Sequence, residues 1–144
     1  MEAALAEARA AAARGEVPVG AAVVDGATGT VVARAGNRTE ELSDPTAHAE
    51  LLAVREACRV LGTPRLSAHD LYVTLEPCAM CAQAIAFARV RRLYYGAEDP
   101  KSGGVAHGAR VFAQPTCHHR PEVYGGLAEQ EAAGLLRAFF VARR

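Results

Sequence analysis

Leu71-Tyr72-Val73-Thr74-Leu75-Glu76-Pro77-Cys78-Ala79-Met80-Cys81 is the stretch that decides how this chain folds. Its first five residues are aliphatic, aromatic or β-branched, which reads as a strand. Pro77 suits a helix N-terminus, where its missing N–H costs nothing. Cys78 to Ala88 then suits a helix, and Arg92-Leu93-Tyr94-Tyr95 reads as a further strand. A strand thus runs directly into a helix, with two cysteines at the junction.

Working outward, Ala47 to Leu61 is predicted as a helix, with Leu51, Leu52, Val54 and Ala57 on one apolar face and Gly62 as its stop. Before it, Val19 to Val24 and Thr30 to Ala35 read as paired strands. The turn signals Asp25-Gly26 and Thr28-Gly29 lie between them. Met1 to Arg14 reads as a helix ended by Gly15, with Leu5 as its large apolar anchor. On the other side, Pro100 to Gly104 is a loop, Gly108 to Pro121 is irregular, and Leu127 to Val141 is a closing amphipathic helix. Hairpin, helix, strand, helix, strand, helix implies a three-layer α/β domain. No linker or repeat interrupts the pattern, so residues 1–144 are expected to form a single domain.

Composition narrows the function. The chain is 51% hydrophobic and 22% charged, enough for a core and too apolar for wholesale disorder. Sixteen basic and sixteen acidic residues cancel, so any nucleic-acid contact must come from local clusters. Arg89, Arg91 and Arg92 form the densest of these, with some of them expected to point outward near a subunit edge. No apolar run is long enough to span a bilayer, and Met1 to Ala13 lacks a signal-peptide core, so a cytoplasmic location is expected. There, close-spaced cysteines point to metal or redox chemistry more than to a structural disulfide.

Of the cysteines Cys58, Cys78, Cys81 and Cys117, two stand three residues apart. At a helix start that spacing puts the sulfurs of Cys78 and Cys81 on one face, able to grip one ion. Free N–H groups and the helix dipole favour thiolate there. His48, from the helix before, would be the third ligand. Three protein ligands leave one tetrahedral position of Zn²⁺ for water, whose pKa the metal lowers towards ~7. Glu50 stands two residues from His48. Residues two apart do not share a helical face, so His48 is expected in the first turn or just before it. Glu50 is then expected to shuttle protons as the catalytic acid–base rather than to bind metal. Cys58 reads as a buried small hydrophobe and Cys117 as a loop thiol. His69 and His107 sit beside turns and are expected to be solvated, whereas His118 and His119 are possible RNA contacts.

His48-Ala49-Glu50 followed by Pro77-Cys78-Ala79-Met80-Cys81 resembles the signature of the cytidine deaminase superfamily. The match is longer within that superfamily. Glu16-Val17-Pro18-Val19-Gly20, Gly36-Asn37-Arg38, Asp44-Pro45-Thr46-Ala47-His48-Ala49-Glu50, Gly96-Ala97-Glu98-Asp99-Pro100-Lys101 and Phe139-Phe140 resemble the bacterial tRNA-specific adenosine deaminases. The resemblance implies a central mixed five-stranded sheet flanked by helices, one zinc ion per subunit and a homodimer. It implies hydrolytic conversion of adenosine to inosine at the wobble position of a tRNA anticodon stem-loop, by zinc-activated water with a glutamate proton shuttle. By position it implies substrate contacts from Asn37, the Ala49 backbone N–H and the apolar Val19. It places Cys117-His118-His119-Arg120, Arg143 and Arg144 near RNA.

Two rivals stay open on the residues alone. The same zinc motif serves deaminases of free bases or nucleosides. A structural zinc or thiol-redox module on Cys78 and Cys81 is the other, and as a closed zinc site it would need a fourth protein ligand such as Cys58 or His118.

Overall fold

The computed structural model describes residues 1–144. Helix α1 (Glu2–Ala13) precedes the hairpin of β1 (Gly20–Asp25) and β2 (Val31–Gly36). Helix α2 (Ala49–Leu61), strand β3 (His69–Leu75), helix α3 (Ala79–Phe87) and strand β4 (Arg92–Ala97) follow. A 3₁₀ turn (Val111–Ala113), strand β5 (Glu122–Tyr124) and helix α4 (Glu129–Val141) complete the chain. The sheet runs β2-β1-β3-β4-β5. β1 pairs antiparallel with β2 and β3, and β3, β4 and β5 are parallel, which makes the expected mixed five-stranded sheet.

Alternation along β1 sorts the two faces. Ala21 and Val23 point into the larger core with Leu71, Val73, Leu93 and Ile85, beneath α2 and α3. Each fully buried side chain of that size contributes about 1.5–3 kcal/mol. Gly20 points the other way, against α1. A Cβ there would stand 1.9 Å from the Ala4 carbonyl oxygen and 2.5 Å from the Ala8 nitrogen, so only glycine lets this helix lie so close. Gly96 does the same for α4, where a Cβ would stand 3.0 Å from the Ala132 methyl. Leu5, Ala97 and Ala132 form the small second core on this face.

Most boundaries fall where local signals put them. Gly15 and Gly62 stop α1 and α2 with φ of +83° and +68°, values that glycine adopts without strain. The strand β5 was not visible in the periodicity, because its three residues are all exposed and lie on a sheet edge. Only pairing with β4 makes it a strand. Pro77 stands one place outside α3, since Cys78 is the N-cap residue. No helix is long and apolar enough to cross a membrane.

Candidate zinc and substrate site

His48 and Cys78 occupy equivalent places, as the N-cap residues of α2 and α3. Both have extended backbones, with ψ of 149° and 174°, so neither follows its helix's path. This answers the spacing problem: His48 lies off the helical cylinder, and its ring and the Glu50 carboxyl reach one cavity. Cys81, in the first turn of α3, is fully buried. The Nδ1 atom of His48 lies 3.6 Å from Cys78 Sγ and 3.5 Å from Cys81 Sγ.

Those separations suit zinc. With Zn–N near 2.05 Å and Zn–S near 2.3 Å, a tetrahedral centre has an N···S edge of about 3.6 Å. The three donor atoms all lie within 4.8 Å of one another, and no further histidine, cysteine or carboxylate joins them. Cys58 and His118 are outside the group, so the residues do not form the closed four-ligand site of a structural zinc.

The electrostatics favour a thiolate. The hydrogen bond with Cys81 draws the Cys78 thiol down to about 4, against its burial, and His48 pulls in the same direction. The shared proton is held on Cys81, whose pKa is raised. The bond to Cys78 raises His48 as well. Burial pushes the Glu50 carboxyl up to about 7, although its own backbone N–H and His48 pull the other way. A carboxyl poised near neutrality can give or take a proton at little cost in either direction.

Glu50 and His48 line a cavity of about 230 Å³ with Val17, Val19, Asn37 and Leu75. Thr39, Glu76, Cys78, Asp99 and Ser102 complete its lining. The structure therefore brings Val19, Asn37, His48, Glu50 and Cys78 together, as the sequence reading expects. Ala49 differs: its methyl is wholly buried. Its N–H, the first of α2, is one of those a helix leaves without an internal acceptor.

Two buried carboxylates, Glu16 and Glu76, brace the residues around the cavity, and no sequence pattern marks them. Glu16 accepts the Glu40 and Glu41 backbone N–H groups at 3.1 and 2.8 Å, and the Asn37 amide at 3.3 Å. An acceptor-only partner fixes which end of the Asn37 amide faces it. Glu76 collects the N–H groups of Asp99, Val105, Ala106 and His107 at 3.1–3.2 Å. Burial alone would raise its pKa, but these bonds and His107 outweigh that and lower it.

Several surface expectations change. His107 is not simply solvated, because its Nδ1 lies 2.8 Å from the buried Glu76 Oε1. His69 is likewise tucked in beside Asp25, with its Nδ1 buried and unpartnered. Cys117 is a buried core residue whose thiol donates to the His119 carbonyl. The His119 ring bonds to the Val90 carbonyl at 2.7 Å, which ties it to the fold. Arg91 grips Asp70 through two bonds, at 2.9 and 2.8 Å, and Arg92 pairs with Glu122 at 2.8 Å. That cluster braces the sheet more than it offers free charge.

Residues 1–97 match the family described as the cytidine and deoxycytidylate deaminase zinc-binding region. The chain is 62% identical to a tRNA-specific adenosine deaminase of Agrobacterium fabrum over 144 residues, covering all of this chain and 93% of that protein. It is similar, at TM-score 0.91 and 63% identity, to a structure from studies of A-to-I editing by tRNA:A34 deaminases at the wobble position of transfer RNA. That match covers 94% of this chain and 97% of the other. A guanine deaminase from Nitrosomonas europaea is also similar, at TM-score 0.83 and 28% identity, over 96% of this chain and 81% of that one. Sharing sequence from end to end with the first of these, and the zinc-binding region with the wider group, the chain belongs to the tRNA-specific adenosine deaminases within the cytidine and deoxycytidylate deaminase family.

Proposed function

We infer that this chain converts adenosine to inosine at the wobble position of a tRNA anticodon. The observation that carries the reading is the His48–Cys78–Cys81 triad beside a buried Glu50, in a chain whose full-length relative is a tRNA-specific adenosine deaminase. A cavity of about 230 Å³ is smaller than the roughly 300–1,000 Å³ of pockets for drug-sized ligands. It suits one unstacked base, which an anticodon loop presents at little cost.

His48, Cys78 and Cys81 would hold the zinc, which supplies a water acidic enough to attack at neutral pH. Glu50 would take the first proton of the attacking water as the water oxygen adds to C6 of the adenine. It would deliver that proton to the ring nitrogen, then carry the proton of the new C6 hydroxyl to the amine. Ammonia leaves, and the water oxygen stays as the carbonyl of inosine. Val19 forms part of the apolar wall against the base, and Asn37, held by Glu16, hydrogen-bonds it together with the Ala49 N–H. The N-terminal ends of α2 and α3 add fixed positive potential on the same side. A cytoplasmic location belongs to this reading, since a reducing compartment keeps thiolate ligands available.

A homodimer is part of the same proposal. Leu51, Val54, Cys58 and Phe87 line an apolar groove between α2 and α3, and Phe87 is 74% exposed. An exposed aromatic continuous with an apolar groove supports an interface there. Phe87→Asp is expected to shift the protein from dimer to monomer in sedimentation velocity, with its helical content unchanged.

The deciding measurement is inosine formation on an RNA hairpin with adenosine at the wobble position, beside free adenosine, guanine and cytidine. Inosine from the hairpin at a kcat/KM at least ~100-fold above any free base supports the reading. Ammonia from free guanine and none from RNA would move the chain to the chemistry named for the Nitrosomonas protein.

A further inference from the structure

Glu76 is 1% exposed, yet its carboxylate takes five hydrogen bonds from a single loop. Four come from backbone N–H groups. The fifth is the only side-chain bond, from His107 Nδ1 to Oε1 at 2.8 Å. The loop lies tight on this anchor. A Cβ at Gly103 would stand 2.3 Å from Glu76 Oε2, and one at Gly104 would stand 2.5 Å from the Ala79 nitrogen. Glycine at both places lets the backbone close over the carboxylate and the start of α3. The Gly104 N–H also bonds to the Pro77 carbonyl at 2.8 Å.

The near end of the same loop forms a wall of the substrate cavity, through Asp99 and Ser102. That end is stiff. Asp99 Oδ1 accepts the Lys101 and Ser102 N–H groups at 3.2 and 3.0 Å, and its carbonyl accepts the Gly103 N–H at 2.8 Å. Glu76 thus ties both ends of the segment from Asp99 to His107 to the strand end that leads into the zinc triad. The triad and Glu50 are carried by α2 and α3, and the loop meets α3 at its start through Gly104 rather than through His107.

We propose that Glu76 and His107 form a clasp that sets the Asp99–Ser102 wall of the substrate cavity, which makes His107 a positioning residue for RNA binding. The proposal rests on the reading of the cavity as the site of the wobble base. His107 touches neither the triad nor Glu50. Loosening it therefore changes how well the wall holds substrate and leaves the reacting groups in place. Its side chain is 30% exposed, so substitution there opens no large void.

The test compares His107→Ala and His107→Asn with the parent as zinc-loaded enzymes on the wobble-adenosine hairpin. Asparagine keeps an N–H donor near the place of Nδ1. His107→Ala is expected to raise KM roughly tenfold, the weight of one hydrogen bond to a charged group. Its kcat should stay within about twofold, with zinc content unchanged, and His107→Asn should return KM most of the way. An unchanged KM in His107→Ala, a fall in kcat alone, or failure of asparagine to restore KM would overturn the clasp. Failure of the parent reading looks different, because the unaltered enzyme itself would then form no inosine.

Discussion

Cys81→Ala is expected to lose zinc and deaminase activity together. Cys81 supplies one of the three donor atoms, and no other histidine, cysteine or carboxylate stands near enough to replace it. Losing an outer-shell partner of a metal site costs about 10–100-fold in affinity, and removing a ligand exceeds that. The protein should therefore elute with well under one zinc per chain by elemental analysis, and inosine formation should fall below detection. Cys58→Ala is the matched control. Cys58 lies on α2 outside the donor group, and burial raises its thiol pKa, as for an inert thiol. It should keep full zinc. Zinc loss with activity retained would remove the metal from the chemistry.

Bound zinc would also stabilise the fold, because its ligands come from two elements, α2 and α3, whose starts it would join. His48 begins α2 and Cys78 begins α3. An ion that binds the native arrangement and not the unfolded chain adds stability by mass action. The thermal midpoint of the parent should thus fall on chelation, whereas that of Cys81→Ala should not move.

How much of this was legible in the sequence depends on how local each signal is. Leu71 to Cys81 announced a strand, a helix start and a ligand pair, because all three are written within one short segment. Gly15 and Gly62 marked their helix ends for the same reason. The pairing of His48 with Cys78 and Cys81 needed chemistry as well as spacing, but two thiolates and one imidazole form a recognisable set. Glu16, Glu76 and His107 carried no such mark. Each is a single polar residue whose partners lie more than twenty positions away, and nothing nearby distinguishes it from a solvated side chain. A buried carboxylate becomes readable only when the N–H groups around it are in view. Arg91 taught the opposite lesson: a basic cluster in the sequence was largely consumed by Asp70 and Glu122, one strand away on either side.

Glu50→Gln separates proton transfer from metal binding. Glutamine has nearly the shape of glutamate and fills the same 5% exposed position at the start of α2, but it can neither take the proton from water nor hand one to the leaving amine. Proton transfer by a placed side chain contributes about 10²–10⁴-fold. With one group proposed to serve several transfers, kcat on the hairpin should fall by at least ~10³. Zinc per chain should stay at the parent value, because Glu50 is outside the donor set. That pairing of results differs from the loss of both in Cys81→Ala. Stability should move the other way. The folded-state pKa of Glu50 is raised from 4.5 to about 7, so the neutral carboxyl's contribution is complete below 4.5 and is lost as pH rises towards 7. Glutamine carries no such loss, and with zinc removed by chelation Glu50→Gln should melt higher than the parent at pH 8, with the gap closing at pH 4. A bound cation beside the carboxyl would offset much of that penalty, so the gap should shrink when zinc is restored. Activity within tenfold of the parent would take the proton shuttle away from Glu50. Loss of zinc in step with activity would make the residue part of the metal site instead.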